Sequence, residues 1–394
     1  MTKLHIFNPE HDMALAANLA HFTPPHAGRQ LRHDLGFLPA LWAEPGDMVL
    51  VDDVGAAAES FRHLGLPLRP MFVDRATLTR LMRAVKGEGI EIRPWGWDVA
   101  VRQLLCECGV STSWLSTPAA LEQIRQMSHR GWAAVHLLPR LVELPGTVGE
   151  AWTLHGVDEM RKVARTGCGL VLKSPWSSSG RGVRYVSESL VEDVHGSALP
   201  ASLANWFGHV LERQGCLMAE PYYNKVVDFG MEFVSDGLGG VDYSGLSLFH
   251  TVNGAYVGNV VDTEEHKEEQ LVRYVSVQLI RQLRKRIAEV LGEAFGGCYQ
   301  GRFGVDMMVV RQGRRFLVHP CVELNLRMTM GHAALALADD GLSPRRIMRI
   351  SCTDKYRLRI ENCRETDEAV VQTDRAKAEE NRKKGEDGAI LQNI

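Results

Sequence analysis

The hydrophobic pattern of this chain changes texture once, and that change limits the possible folds more than any other feature. Over the first hundred residues, short apolar runs alternate with helical stretches. Leu4–Phe7 and Met48–Val51 read as buried strands, and Trp97–Cys108 carries apolar residues at helical spacing up to Gly109. Strands alternating with helices predict a parallel sheet in an α/β unit, placed at 1–113. From 168 to 260 the strands instead arrive as hairpins: Leu170–Lys173, Val183–Val186, Cys216–Ala219, Val226–Val234, Val241–Thr251 and Ala255–Val261. The helix Leu203–Leu211 interrupts them, an α+β pattern.

Between the two textures, Thr117 caps a helix that opens on Pro118, and Val157–Arg165 forms a second one closed by Gly167. Glu264–Leu291 is expected to be the longest helix, with Leu271, Val275, Leu279, Leu283 and Ile287 on one face. Two strands, Val305–Val310 and Phe316–Leu324, turn at Gln312–Arg315. Helices are expected at Ala333–Ala338 and Pro344–Ile350. The resulting division is 1–113, 114–215, 216–350 and a charged C-terminal tail, 351–394, solvated or disordered.

Composition narrows the function classes. The chain has 394 residues, 45 Lys and Arg against 48 Asp and Glu, a net charge of −3 and no basic tract, so no nucleic-acid partner is expected. Eight cysteines with no C-x-x-C exclude a disulfide scaffold and argue against structural zinc. No apolar run approaches the roughly 18 residues that span a bilayer, and no leader is visible. No membrane association and a cytoplasmic location are therefore expected.

Two constellations carry chemistry. The first runs from Leu170 to Val183, where a buried strand ends in Lys173 and passes through Ser177, Ser178, Ser179, Gly180, Arg181 and Gly182 into another strand. Small residues let backbone N–H groups crowd an anion, with Lys173 as a point charge and Arg181 near the terminal phosphate. It is no Walker loop, because it leads into a strand. The alternative is a hairpin turn with a snorkelling lysine. The second constellation is Asp306, Glu323 and Asn325, followed by Arg327. Residues two apart share a strand face, and the turn near Gly313 folds Asp306 back beside Glu323. Buried carboxylates need a cation or a pairing partner. Oxygen ligands of this kind suit magnesium on nucleotide phosphates; the alternative is an ion pair with Arg302 or Arg327.

Taken together and in this order, the two constellations resemble the ATP-grasp superfamily over about 115–335. The resemblance implies an N-terminal parallel α/β domain followed by two α+β subdomains that close on ATP. It implies that Lys173 and the loop bind phosphate, with Arg130 or Arg140 as the upstream cation. Met218–Tyr222 would be the hinge, holding adenine through backbone groups of Glu220 and Tyr222, with Asp228 toward ribose. Asp306, Glu323 and Asn325 would bind Mg2+ or Mn2+, and Arg327 would face the reacting phosphoryl group. The implied activity is an ADP-forming ligase that joins a small-molecule carboxylate to an amine or thiol through an acyl phosphate. A small-molecule kinase and a non-catalytic ATP-binding protein are the alternatives. The oligomeric state stays open, a homodimer included.

After the first strand, Asn8, Glu10, His11 and Asp12 lie where a parallel sheet offers its carboxyl-edge crevice, either as a substrate site or as an ordinary capped turn. His21, His26 and His33 read as surface or core histidines rather than ligands. Cys106, Cys108, Trp95 and Trp97 read as core, and His319 and Cys321 as packing on the Glu323 side.

Overall fold

The computed structural model describes residues 1–84, 89–164, 168–177, 182–190, 199–252, 255–338 and 345–363. The first unit is a parallel four-stranded sheet, β1 (Lys3–Ile6), β2 (Met48–Leu50), β3 (Met71–Val73) and β4 (Glu91–Pro94), in the order β3-β2-β1-β4. Its strands are short, and the two inner ones, β1 and β2, are nearly fully buried, as a parallel sheet covered by helices requires. β3 and β4 escaped the sequence reading, because Met71–Val73 and Glu91–Pro94 are too short and too polar at one end to register as apolar runs.

A second sheet holds β5 (Trp152–Leu154), β6 (Leu170–Lys173), β7 (Val183–Val186) and β8 (Leu217–Pro221), ordered β5-β8-β6-β7 and antiparallel throughout. The helix Ala201–Gln214 packs Leu203, Phe207 and Val210 onto it.

The largest sheet has seven strands: β9 (Lys225–Asp236), β10 (Val241–Val252), β11 (Ala255–Val261), β12 (Gln300–Gln312), β13 (Arg315–Asn325), β14 (Arg346–Cys352) and β15 (Tyr356–Asn362). Their order is β13-β12-β9-β10-β11-β14-β15. One side of this sheet buries Phe229, Met231, Phe233, Phe303, Val305 and Met307 under the helix Val277–Phe295 and its neighbours. The alternate residues of β9 and β12 therefore face the other way.

The structure corrects several expectations. Glu264–Leu291 is not one helix but two, Glu264–Val272 and Val277–Phe295, because Ser276 caps the second by accepting from Leu279 N–H. The expected helix Pro344–Ile350 is overturned: Arg346–Cys352 is β14, whose β-branched Ile347 and Ile350 suit a strand, and Pro344 lies outside the described residues. Residues 351–363, read as tail, instead complete the β14–β15 hairpin; 364–394 lie outside the described residues, as does Gly167. Among the described residues, no helix is long and apolar enough to cross a membrane.

Candidate active site

The face of β12 that points away from the main core organises the site. β12 lies between β13 and β9. In register, Asp306 stands opposite Glu323 and Gly230, and Gly304 stands opposite Asn325 and Glu232. Period-two alternation puts Arg302, Gly304 and Asp306 on one side. Asn325 Nδ2 donates to Asp306 Oδ2 at 3.0 Å. A Cβ at position 304 would stand 2.5 Å from Glu232 Oε2, so glycine is what lets the two strands carry this acid between them.

The electrostatics of these carboxylates are unbalanced. Burial, then the Glu323 charge, pushes Asp306 up to about 7. Burial, then Asp306, pushes Glu232 up to about 8. Glu232 was missed from the sequence, although an acid inside the apolar run Phe229–Phe233 was the available signal. Its Oε2 lies 3.0 Å from His332 Nδ1, and that nitrogen also meets Thr329 N–H (3.3 Å) and the Thr329 hydroxyl (3.0 Å). His332 is held down at about 3, first by burial and then by Arg302, so the ring is neutral. A protonated Glu232 fits that surrounding.

The donor set fits a hard divalent cation. Two carboxylates, one of them starved of positive partners, and an amide oxygen adjoin on neighbouring strands. Among the described residues no cluster of three or more His, Cys, Asp or Glu is placed to hold a metal ion. A cation here would take its remaining ligands from phosphate oxygens and water, as magnesium does. Asp306 and Glu232 have folded pKa values of about 7 and about 8, above their ordinary values of about 4. Their neutral forms stabilise the fold at low pH, and that contribution is lost as pH rises through about 8. Melting temperature without metal should fall between about pH 5 and pH 8, and Mg2+ should restore part of it at the upper end. A flat profile indifferent to Mg2+ would remove the charge imbalance from the account.

Lys173 closes β6 and is 6% exposed; its ammonium donates to both Glu220 oxygens at 2.7 Å and to Val322 O at 3.4 Å. Glu220, on neighbouring β8, thus meets Lys173 through its side chain. Arg130 heads the helix Arg130–His136 rather than lying on a strand. Its guanidinium donates to Ser174 O (2.6 Å), Ser177 Oγ (2.8 Å), Ser177 O (3.0 Å) and Glu323 Oε1 (2.6 Å). Glu323 is therefore ion-paired with Arg130, not with Arg302 or Arg327. Ser178, Ser179, Gly180 and Arg181 lie outside the described residues. Gly182 is packed so closely that a Cβ would stand 2.3 Å from Ser177 Oγ. Tyr222 is exposed, edge-on to Tyr185, and Asp228 accepts from Lys225 Nζ at 2.5 Å and from Thr251 Oγ1 at 2.6 Å. Arg130, Met218, Glu220, Val322 and Glu323 line a narrow crevice between the two sheets. Arg140 lies apart, in the helix Leu138–Val142.

The N-terminal residues divide. Asn8 and His11 turn to Asp98: Asn8 Nδ2 donates to Asp98 Oδ2 and His11 Nδ1 meets the same oxygen, both at 3.1 Å. Glu10 pairs with Arg32 at 2.6 Å. Asp12 alone of the four reaches the hairpin, accepting from Arg327 Nε at 3.2 Å and Nη2 at 3.0 Å. Burial pushes Asp12 up, but Arg327, His11 and Arg130 together outweigh it and hold the carboxyl below its usual range. His319 and Cys321 are buried, with the thiol pushed up by burial and the imidazole pushed down to about 4.

No family model matches the sequence, and no curated protein matches it. Among solved structures, Rhizobium etli pyruvate carboxylase aligns over 89% of this chain and 31% of its own, at 12% identity and a TM-score of 0.51. This chain therefore shares the fold of the aligned part of that enzyme. N5-carboxyaminoimidazole synthetase from Staphylococcus aureus, complexed with ADP, aligns over 95% of this chain and 96% of its own, at 11% identity and a TM-score of 0.47. An ATP-grasp superfamily protein from Archaeoglobus fulgidus covers 92% of this chain and all of its own, at 13% identity and a TM-score of 0.46. At such identities the likeness is one of architecture, and the chemistry rests on this chain's own residues.

Proposed function

We propose that this chain is an ATP-dependent ligase that joins a small-molecule carboxylate to an amine or thiol, releasing ADP and phosphate. The observation that carries this reading is the Arg130 guanidinium, which contacts the phosphate-loop serine Ser177 and the hairpin acid Glu323 at once. One cation thereby ties the nucleotide side of the crevice to the candidate metal side. In this reading, 114–215 supplies the lysine and loop, 216–350 supplies the metal hairpin, and 1–113 faces the acceptor.

The division of labour follows from charge. Lys173 and Arg130 hold phosphate oxygens, exchanging their present carboxylate partners for the nucleotide. Backbone groups of Glu220 and Tyr222 hold adenine and Asp228 holds ribose. Asp306, Glu323 and Asn325 hold Mg2+, which neutralises charge on the phosphates. Arg327 offers its planar fork to the substrate carboxylate or acyl phosphate. Asn8, Glu10, His11 and Asp12 shape the acceptor side. The γ-phosphoryl group passes to the carboxylate, ADP leaves, and the amine or thiol then attacks the acyl carbon and expels phosphate. No side-chain nucleophile is needed.

Product analysis tests the reading: ADP and phosphate should appear in equal amounts with an amide or thioester, and without AMP. A stable phosphomonoester would instead establish a kinase. Removing the Lys173 charge forfeits a contact on the order of 1.5–3 kcal/mol. Lys173→Ala should therefore weaken MgATP binding about ten- to a hundredfold in calorimetry. Unchanged affinity in a folded variant would take Lys173 out of the phosphate site.

A further inference from the structure

Arg302 is a cation on the site face of β12 that the proposed chemistry leaves unused. It stands two residues before Gly304 and four before Asp306, on the same side of β12, so its Cα lies roughly 13 Å along the strand from the acid. Arg327 and Arg130 are held by Asp12 and Glu323. Arg302 is exposed, and among the described residues no carboxylate lies within ion-pair reach of it and nothing accepts a hydrogen bond from its guanidinium.

A like charge makes this placement costly. Arg93 sits near the carboxyl end of β4, opposite His5 in the parallel sheet. The two sheets are joined there by Met328 N–H donating to Trp95 O at 2.7 Å, which brings the end of β4 against the segment that follows β13. Arg93 has Glu91 as its own partner. Arg302 is depressed below its ordinary value, first by loss of surrounding solvent and then by Arg93, with Glu232 pulling the other way. The backbone at Arg302 is also fixed: its carbonyl accepts from Tyr299 Oη at 2.5 Å, and the preceding Gly301 has φ 142°, a conformation that other residues rarely adopt. Two guanidinium groups are thus held in each other's field at the carboxyl edge of a parallel sheet, where such sheets receive ligands. An anion between them would relieve the repulsion.

We propose that Arg302, with Arg93 across from it, is a subsite for a second anionic group, carboxylate or phosphate, on the small-molecule substrate. The inference rests on the ligase reading and adds a substrate class to it. The reacting carboxylate lies by Asp306, Glu323 and Arg327, and the distal anion lies at Arg302, so the substrate is an elongated acid with two separated anionic groups. Planar forks accept either anion in bidentate fashion, and the span along β12 sets the separation.

The test has an equilibrium arm and a turnover arm, both on the full chain. Inorganic phosphate and glutarate are titrated at low ionic strength into the wild type, Arg302→Gln and Arg302→Lys, with thermal unfolding as the check on folding. Saturable binding of either probe should weaken about ten- to a hundredfold in Arg302→Gln and by less in Arg302→Lys, which keeps the charge and loses the fork. Preference for one probe distinguishes phosphate from carboxylate. In the turnover arm, small acids are screened for stimulated ADP release. Compounds with two anionic groups should be the active ones, and Arg302→Gln should raise their KM about tenfold or more while leaving MgATP affinity unchanged. Probe binding indifferent to Arg302→Gln, or absent from the wild type, overturns the subsite. If no acid stimulates ADP release while probe binding still depends on Arg302, the ligase reading fails and the anion site stands.

Discussion

Glu323→Gln is expected to reduce Mg2+-dependent turnover about 10²–10³-fold or more while the protein still binds metal-free nucleotide. The amide keeps the shape of the carboxylate and removes the charge that faces both Asp306 and Arg130. Relieved of its acidic neighbour, Asp306 should titrate lower, because Glu323 is the leading charge that raises it. The fold should survive, since Glu323 is about a quarter exposed and Arg130 keeps three contacts to Ser174 and Ser177. Steady-state kinetics alongside calorimetry separates the outcomes. Turnover within about twofold of wild type would exclude Glu323 as a metal ligand, and a large loss of melting temperature with kinetics intact would make it a structural ion pair.

The second large effect is expected at Arg327. Its fork on Asp12 is an ion pair that spans the N-terminal unit and the metal hairpin, and both side chains are about 15% exposed. Arg327→Ala leaves the Asp12 carboxylate without its partner, and breaking a pair so shielded costs about 3–5 kcal/mol. Arg327→Lys retains charge, so it should lose less stability and still lower turnover more than ATP affinity, because it acts on the reacting group. Because Asp12 is held below its usual range, the pair's contribution is present above about pH 4 and is lost as pH falls through the lowered value. Urea unfolding of Arg327→Ala, Asp12→Asn and the double variant measures the coupling; additive losses would show that the two side chains do not act as a pair.

Much of this was legible in the sequence because the relevant groups are close in chain or tied by strand period. A hairpin turning at Gly313 necessarily brings Asp306 near Glu323, and a period of two puts Asn325 on the same side. The lysine at the end of an apolar strand was visible for the same reason. Contacts between distant elements were not. Nothing local announces that Arg130 reaches Glu323 across 193 positions, or that Asp12 meets Arg327 across 315. Both depend on how separate sheets dock. Glu232 was hidden differently: its burial requires Gly304 and Gly331 to stand beside it, and glycines in a sequence do not reveal which acid they accommodate. The β14–β15 hairpin was lost because Arg346, Arg349, Arg357 and Arg359 give those strands the charge density of a tail. β15 is an edge of the sheet and β14 its neighbour, and such charges are tolerated near an edge.

The central claim is that nucleotide phosphates and a divalent cation meet between Lys173 and the Asp306–Glu323 pair. Calorimetric titration of ATP into the full chain, with Mg2+ and with chelator, tests it most directly. The account predicts one saturable site per chain whose affinity rises with Mg2+, and whose Mg2+ dependence disappears in Glu323→Gln. ATP binding that is absent in Mg2+, or equally strong with and without it, would contradict the account.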